Sequence, residues 1–491
     1  MKTTLIIVMT LLMGITTSQA QFKIDYNPSI QPTNSIQYFK PVEKDLFVGD
    51  CIPFYHEGTY YLYWLLDKGH HGALNGLGGH QWCVSTTKDL KNWKHYPIAI
   101  GIDEEWEKSI CTGSVAFDGK LFYAFYATRL ITKENEIKEQ LSYAISKDGL
   151  NFEKQLPNPF YTSAPGYSQR HFRDPKIVID KSGTFHLFVS SESEKYIISD
   201  AKGTLVHLTS KDLKNWNIEK DMLSGQHDVP ECPDYFQWNG WYYLIYGQGG
   251  DTYYVKSKQP YGPWEYPESQ ALLEQWVNVA KTAEFTKGRR IVAGWIPSKK
   301  ENKDYGNEQF GGNIILREAY QLPNGDLATK WPNEVIPQGK QIFNGKLTAI
   351  ENAQIISNKE ILLKGKEGIS GAYIKNIPNN CHISLEIDPI GNNNEYGLYL
   401  RASDKANDGY KFSMNSNKKT IRLGEDAFIE SVDGLNRPLK IDIIMKDDII
   451  DICIDERRCI VNRLPEHNGK YLWFYSKQGT VKYKNIKIVT L

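Results

Sequence analysis

The sequence predicts an all-β protein, a five-bladed β-propeller followed by a C-terminal β-sandwich. Three observations carry this. A phrase built of a polar residue, a glycine and an aromatic or aliphatic strand recurs five times in the first 300 residues. The 12% aromatic content suits strands and sugar-stacking surfaces better than helices. After residue 346 the repeat gives way to alternating strands separated by polar turns.

The repeat reads Glu57-Gly58 before TYYLYWL, Asp118-Gly119 before KLFYAFY, Ser182-Gly183 before TFHLFVS, Asn239-Gly240 before WYYLIYG, and Lys287-Gly288 before RRIVAGW. A short strand precedes each glycine, so each copy opens with a hairpin. The glycines are spaced by 61, 64, 57 and 48 residues, the scale of one propeller blade. A second phrase follows downstream: STTKDLKNW (85–93), ISKDGLNF (145–152), LTSKDLKNW (208–216) and the looser KSKQPYGPW (256–264). Its recurring Asp, Asn and aromatic residue read as turn packing, with no catalytic role. No amphipathic helix separates the copies, so the blades bury their faces on one another.

The expected division is a propeller over 21–336, with an N-terminal arm at 21–44, a connection at 337–346 and a sandwich over 347–491. Within the last, HISLEID (382–388), YGLYLRA (396–402), GYKFSMN (409–415), LKIDIIM (439–445) and GTVKYKNIKIV (479–489) read as strands. Met1–Ala20 reads as a secretory signal, with Lys2, an apolar run from Leu5 to Ile15 and the small-x-small Ser18-Gln19-Ala20. No cysteine stands directly after that point to take a lipid, and no later segment is long and apolar enough to span a bilayer. The expectation is a secreted or periplasmic product. Lys+Arg 58 against Asp+Glu 58 leaves no single-sign field, so binding to nucleic acid or an anionic membrane is not expected. The seven cysteines form neither a disulfide framework nor a zinc spacing. Cys453 and Cys459 flank a turn and are the one pair placed to bridge a hairpin.

Aligning the copies on their glycines places three carboxylates at matching positions. Asp50 lies eight residues before Gly58, Asp174 nine before Gly183, and Glu231 nine before Gly240. First strands of a propeller line its channel, so the three acids are expected to converge on one funnel. Glycosidic cleavage requires one carboxylic acid to protonate the leaving oxygen and one carboxylate to act at the anomeric carbon. Glu231, between two prolines and beside Cys232, has a stiff and partly apolar setting that suits the acid. Asp174, next to Arg173, is expected to stay ionised and accept hydrogen bonds from sugar hydroxyls. Asp50 is expected to supply the nucleophile. The mechanism requires no cofactor and no metal. His70, His71 and His80, the nearest approach to a ligand cluster, fall in the Gly-rich loop GHHGALNGLGGH, which is expected to rim the pocket.

Arg173-Asp174-Pro175, Glu231-Cys232, an aspartate opening the first blade and Cys111-Thr112-Gly113-Ser114 in the second resemble the glycoside hydrolase family 32 enzymes, the invertase, inulinase and levanase group. The resemblance implies Asp50 as nucleophile, Asp174 as transition-state stabiliser and Glu231 as acid/base in retaining hydrolysis of β-fructofuranosides. It further implies that Arg173 shares the fructose contacts, that Thr112 touches the sugar and that Trp295 borders the pocket; Trp82 reads as core. The substrate implied is a fructan or a sucrose-type saccharide, with β-2,1 or β-2,6 preference set by loops such as 66–81. This sequence departs from the family pattern at its first motif: Gly49 precedes the aspartate, Cys51-Ile52 follow it, and Leu65 stands where a glutamine is expected. Two other readings remain open, an inverting arabinan- or xylan-directed hydrolase of the related five-bladed group and a catalytically silent carbohydrate-binding protein.

Overall fold

In the computed structural model the described residues are 35–491 apart from 163, 196–199, 268–275, 351 and 392. The leader reading at Met1–Ala20 and the first part of the 21–44 arm lie outside them. The chain is nearly all β. No helix among the described residues is long and apolar enough to cross a membrane.

Residues up to about 330 form antiparallel sheets. Each strand that follows a repeat glycine pairs back onto the strand before it, and Gly58, Gly119, Gly183, Gly240 and Gly288 all have positive φ, the conformation such tight hairpins demand. The strands preceding the glycines are β1 (Leu46–His56), β2 (Ser109–Phe117), β3 (Tyr167–Ile179), β4 (Glu231–Trp238) and β5 (Asn278–Phe285). Each lies beside the next, and β5 lies beside β1. The strands are buried on both faces because neighbouring units stack. Ile52, Tyr63 and Trp82 of the first unit pack on Ile110, Val115 and Tyr126 of the second. Phe125 and Leu141 meet Phe172 and Leu187, and Phe188 and Leu205 meet Tyr235 and Leu244. Trp64 and Tyr60 meet Phe285 and Ile291, where last meets first. Trp82 is fully buried, as expected for a core residue, with Nε1 donating to the Cys111 carbonyl.

The downstream phrase folds as the same turn three times. Asp89, Asp148 and Asp212 each accept two backbone N–H groups, and Asn92, Asn151 and Asn215 each donate back to the second carboxylate oxygen.

From Gln341 to Thr490 the strands belong to one 13-stranded antiparallel set organised on the long strand Tyr471–Thr490, which pairs with Glu360–Lys375, Cys381–Ile390 and Glu395–Ala402. Four of the five strand segments read from the sequence fall wholly within strands, and the fifth, 409–415, does so from Tyr410 onward. Inside the segment expected as the connection, Gln341 and Ile342 pair with Thr490 and Val489. Cys453 and Cys459 face each other across a hairpin, as their spacing requires, but no disulfide joins them; Cys459 Sγ points to the Thr329 carbonyl instead, 3.8 Å away.

The two parts are bound through buried polar contacts. Asp451, in the strand Ile449–Ile454, receives Tyr38 Oη at 2.6 Å, Arg317 Nη1 and Nη2 at 2.9 and 2.8 Å, and Trp331 Nε1 at 3.1 Å.

Candidate active site

Each of the five strands β1 to β5 carries the same irregularity. Two consecutive residues face a single residue of the partner strand: Gly49-Asp50, Cys111-Thr112, Asp174-Pro175, Cys232-Pro233 and Val279-Ala280. These are β-bulges, which bend a strand and re-aim its side chains. The bulge explains why Pro175 and Pro233 are tolerated inside strands, since a bulged residue has no ladder hydrogen bond to lose. Asp174, Cys232 and Val279 hold positive φ of 55°, 51° and 38°. Such strain in non-glycine residues persists only where surrounding structure enforces it.

The bulges open onto a cavity of about 600 Å³ whose lining includes Asp50, Thr112, Arg173, Asp174, Glu231 and Trp295. All six residues singled out from the sequence therefore meet in one place. Asp50 is held by two donors, Thr112 Oγ1 to Oδ2 and Trp295 Nε1 to Oδ1 at 3.0 Å. Cys232 connects the acids: its N–H donates to Asp174 Oδ2 at 3.1 Å, its Sγ lies 3.8 Å from Asp50 Oδ2, and Glu231 precedes it in the chain. Arg173 Nη2 is 2.7 Å from Glu231 Oε1, and Arg173 Nε is 3.6 Å from Asp174 Oδ2.

Two expectations need correction. Asp174 was expected to stay ionised beside Arg173. Burial instead pushes its pKa up to about 7; the Arg173 and Lys281 charges oppose the rise, and those of Glu231 and Asp50 add to it. Glu231 was expected in a stiff, partly apolar setting. Its side chain is 43% exposed and ion-paired, so any apolar environment must come from bound substrate. Thr112, which the resemblance places against the sugar, lines the cavity and donates its hydroxyl proton to Asp50.

Several neighbours escaped the sequence reading. Glu139 sits between Arg173 and Arg129, at 3.3 and 2.8 Å. Burial alone would raise its pKa, but the two guanidinium charges outweigh that and hold it below the usual carboxylate range. Lys281, buried on β5, donates to the Gly113 carbonyl at 2.6 Å and lends its charge to Asp174. A signal existed: Lys281 lies seven residues before Gly288, as Thr112 does before Gly119.

The loop 69–80 does reach the cavity, through His71, Gly76, Leu77 and His80. It brings His71 and His80 to Asp67, with ligand atoms of the three within 4.8 Å of one another, a spacing a metal ion can use. Arg129 Nη1 is hydrogen-bonded to His71 Nε2, however, and so puts a fixed positive charge where the cation would sit. His80 Nε2 is already engaged by Asp67 Oδ1 at 3.0 Å. The donor set fits a hydrogen-bonded wall better than a cation site.

The family profile described as the glycosyl hydrolases family 32 N-terminal domain matches residues 51–327. The chain belongs to glycosyl hydrolase family 32. The match to this family 32 chain includes Asp174 and Glu231 and begins one residue after Asp50. Among characterised relatives, a levanase of Bacillus sp. (strain L7) is 22% identical over 86% of this chain and 50% of its own length. A sucrose-6-phosphate hydrolase of Escherichia coli is 24% identical over 58% of this chain and 64% of its own. The chain thus spans about half to two thirds of the length of these relatives. Among solved structures, fructan 1-exohydrolase IIa of Cichorium intybus superposes with a TM-score of 0.70 at 16% identity, over 95% of this chain and 98% of that one. A β-fructofuranosidase of Bombyx mori gives 0.66 at 17% identity, over 95% and 94%. These likenesses share the fold of this family 32 chain.

Proposed function

We propose that this protein is a retaining glycoside hydrolase that cleaves β-fructofuranosidic bonds in fructans or sucrose-type saccharides. The observation that carries the reading is the meeting of Asp50, Asp174 and Glu231 around one cavity, the first two from strand bulges and Glu231 from the position directly before a third. Glu231 protonates the leaving oxygen while Asp50, its two oxygens held by Thr112 and Trp295, attacks the anomeric carbon. The C–O bond to the leaving group breaks as the fructosyl–Asp50 ester forms. Glu231, now ionised, then deprotonates a water that releases fructose with its original configuration. Asp174 accepts hydrogen bonds from sugar hydroxyls, and Arg173 holds Asp174 and Glu231 in place.

The scaffold for this chemistry is a five-bladed β-propeller over 21–336, a connection at 337–346 and a β-sandwich over 347–491. Five hairpin glycines and the neighbour order β1–β2–β3–β4–β5–β1 support that division. The leader pattern at Met1–Ala20 supports export. Family membership and the names of the levanase and sucrose-6-phosphate hydrolase relatives support the substrate class. Incubation with sucrose, inulin and levan, with product sizing and anomer-resolved NMR at early times, tests the reading. Release of β-fructose is expected; an inverted first product or no cleavage of all three overturns it.

A further inference from the structure

The departures of the first blade from its family pattern form one connected rearrangement. Gly49, immediately before Asp50, leaves room for Phe310: a Cβ on Gly49 would stand 2.8 Å from Phe310 Cε1 and 3.2 Å from Leu65 Cβ. Phe310 fills that space, its ring 5.0 Å from Trp295 and 4.9 Å from His80, nearly parallel to the latter at 23°. Leu65 therefore presents an apolar side chain to the cavity where the family pattern has an amide. Two residues further along that strand is Asp67, fully buried, and the polar groups of this wall are gathered there.

Asp67 Oδ1 accepts the His71 N–H at 2.8 Å and lies 3.0 Å from His80 Nε2. Because the carboxylate only accepts, His80 Nε2 is the donor of this pair, which in the neutral imidazole leaves Nδ1 as an acceptor. His71 is fixed the other way. Arg129 Nη1 can only donate, so His71 Nε2 is the acceptor and Nδ1 bears the proton. His71 and His80 both line the cavity that holds Asp50, their rings 4.7 Å apart, so this wall carries one imidazole acceptor and one imidazole donor. Burial above all, with the Arg129 guanidinium beside Nε2, holds the His71 pKa down at about 4, so this ring is neutral in working conditions. The loop that delivers the pair is strained to do so: His70, His71, Leu74 and Asn75 all have positive φ.

An acceptor beside a donor matches a vicinal diol, each of whose hydroxyls both donates and accepts. The wall that carries the nucleophile faces the sugar that becomes attached to it, whereas Glu231 serves the leaving group. We propose that His80, oriented by Asp67, and His71, oriented by Arg129, bind a vicinal hydroxyl pair of the fructosyl unit and take over the recognition that Leu65 does not supply. This rests on the fructosidase reading above. It makes the two histidines determinants of sugar specificity rather than groups that move protons.

The test compares wild type with His80→Leu and Asp67→Asn on whichever of sucrose, inulin and levan the wild type cleaves, and on sucrose analogues deoxygenated at C3 or C4 of the fructosyl ring. For His80→Leu, kcat/KM on the parent substrate is expected to fall about 10- to 100-fold, mainly through KM; the buried Asp67 carboxylate also loses its imidazole partner, so the melting temperature falls and the kinetics are compared below it. The wild-type preference for the parent over one deoxy analogue is expected to vanish in that variant. Asp67→Asn, which keeps the shape but weakens the fixed tautomer, is expected to lose less in the same direction. Parent turnover equal to wild type in His80→Leu, or an intact preference against both deoxy analogues, overturns the proposal. So does activity that EDTA removes and Zn²⁺ restores in wild type, which would make the trio a metal site. A wild type inert on all three saccharides instead overturns the fructosidase reading itself.

Discussion

Arg173 Nη2 stands 2.7 Å from Glu231 Oε1, and the same guanidinium reaches Glu139 at 3.3 Å and Asp174 at 3.6 Å. One cation thus serves three carboxylates from three strands. Two of those carboxylates belong to the reaction and the third, Glu139, is shared with Arg129.

Replacing Glu231 by Gln leaves an amide oxygen to accept from Arg173, at a side chain that is 43% exposed. Folding is therefore expected to be unaffected, while loss of the transferable proton lowers kcat about 10²- to 10⁴-fold. Thermal melting and fructose release measure the two separately. Wild-type turnover in Glu231→Gln removes it from the acid/base role.

Asp50 has each oxygen committed to a donor, Thr112 on one side and Trp295 on the other. Asp50→Asn turns an amide N–H₂ toward one of those donors and removes the attacking charge, so no covalent fructosyl adduct is expected by intact-protein mass spectrometry. Trp295→Phe keeps an aromatic ring against Phe310 and deletes the N–H together with part of the indole. A hydrogen bond to a charged acceptor is worth about 1.5–3 kcal/mol, which sets an expected loss of roughly 10- to 100-fold in kcat/KM. An adduct on a residue other than Asp50 would displace it as nucleophile.

What could be read from the sequence follows from what is local. A hairpin glycine and its flanking strand are chemistry of a few adjacent residues, so all five units and the alignment of Asp50, Asp174 and Glu231 on them were visible. The bulges were not, because Gly49-Asp50 and Val279-Ala280 share no residue type that marks a register shift. The same holds for contacts between units: nothing in the chain joins Arg129 to His71, 58 residues away, or Phe310 to the vacancy above Gly49. Local charge also misled at Asp174, where an adjacent arginine was weighed and burial, a property of the assembled sheets, was not. Cys453 and Cys459 show the converse. Their facing register was legible, but register alone does not make a bond.

Asp174 gives a pH dependence of stability whose sign is fixed. Its pKa in the folded protein is raised to about 7 by burial, so the proton is bound more tightly in the folded state than in the unfolded one. The resulting stabilisation is complete below the ordinary aspartate pKa and is lost as pH rises toward 7. Asp174→Asn is uncharged at every pH, and Asn tolerates the positive φ of this position. The variant is therefore expected to gain on wild type as pH rises from 4 to 8, by an amount on the order of 1–4 kcal/mol, while activity is lost. Melting curves of both proteins across that range measure it. A constant difference would show that burial does not govern this carboxyl.

The site depends on strands that the C-terminal part helps to hold, and Asp451 is where that dependence can be measured. It is fully buried and binds Arg317 through two hydrogen bonds, alongside Tyr38 and Trp331. Arg317 lies on the strand Glu308–Gln321, which also carries Phe310 of the cavity wall and pairs with β1 at Val48. Asp451→Asn leaves a buried guanidinium without its counter-charge, a change that costs about 3–5 kcal/mol. A matched Arg317→Met, Asp451→Leu double variant removes both charges and is expected to recover most of that loss. If the two parts fold as one unit, calorimetry shows a single transition that shifts as a whole in Asp451→Asn and returns in the double variant. Two separate transitions, with only one of them moving, would mean that the cavity wall stands without the C-terminal strands.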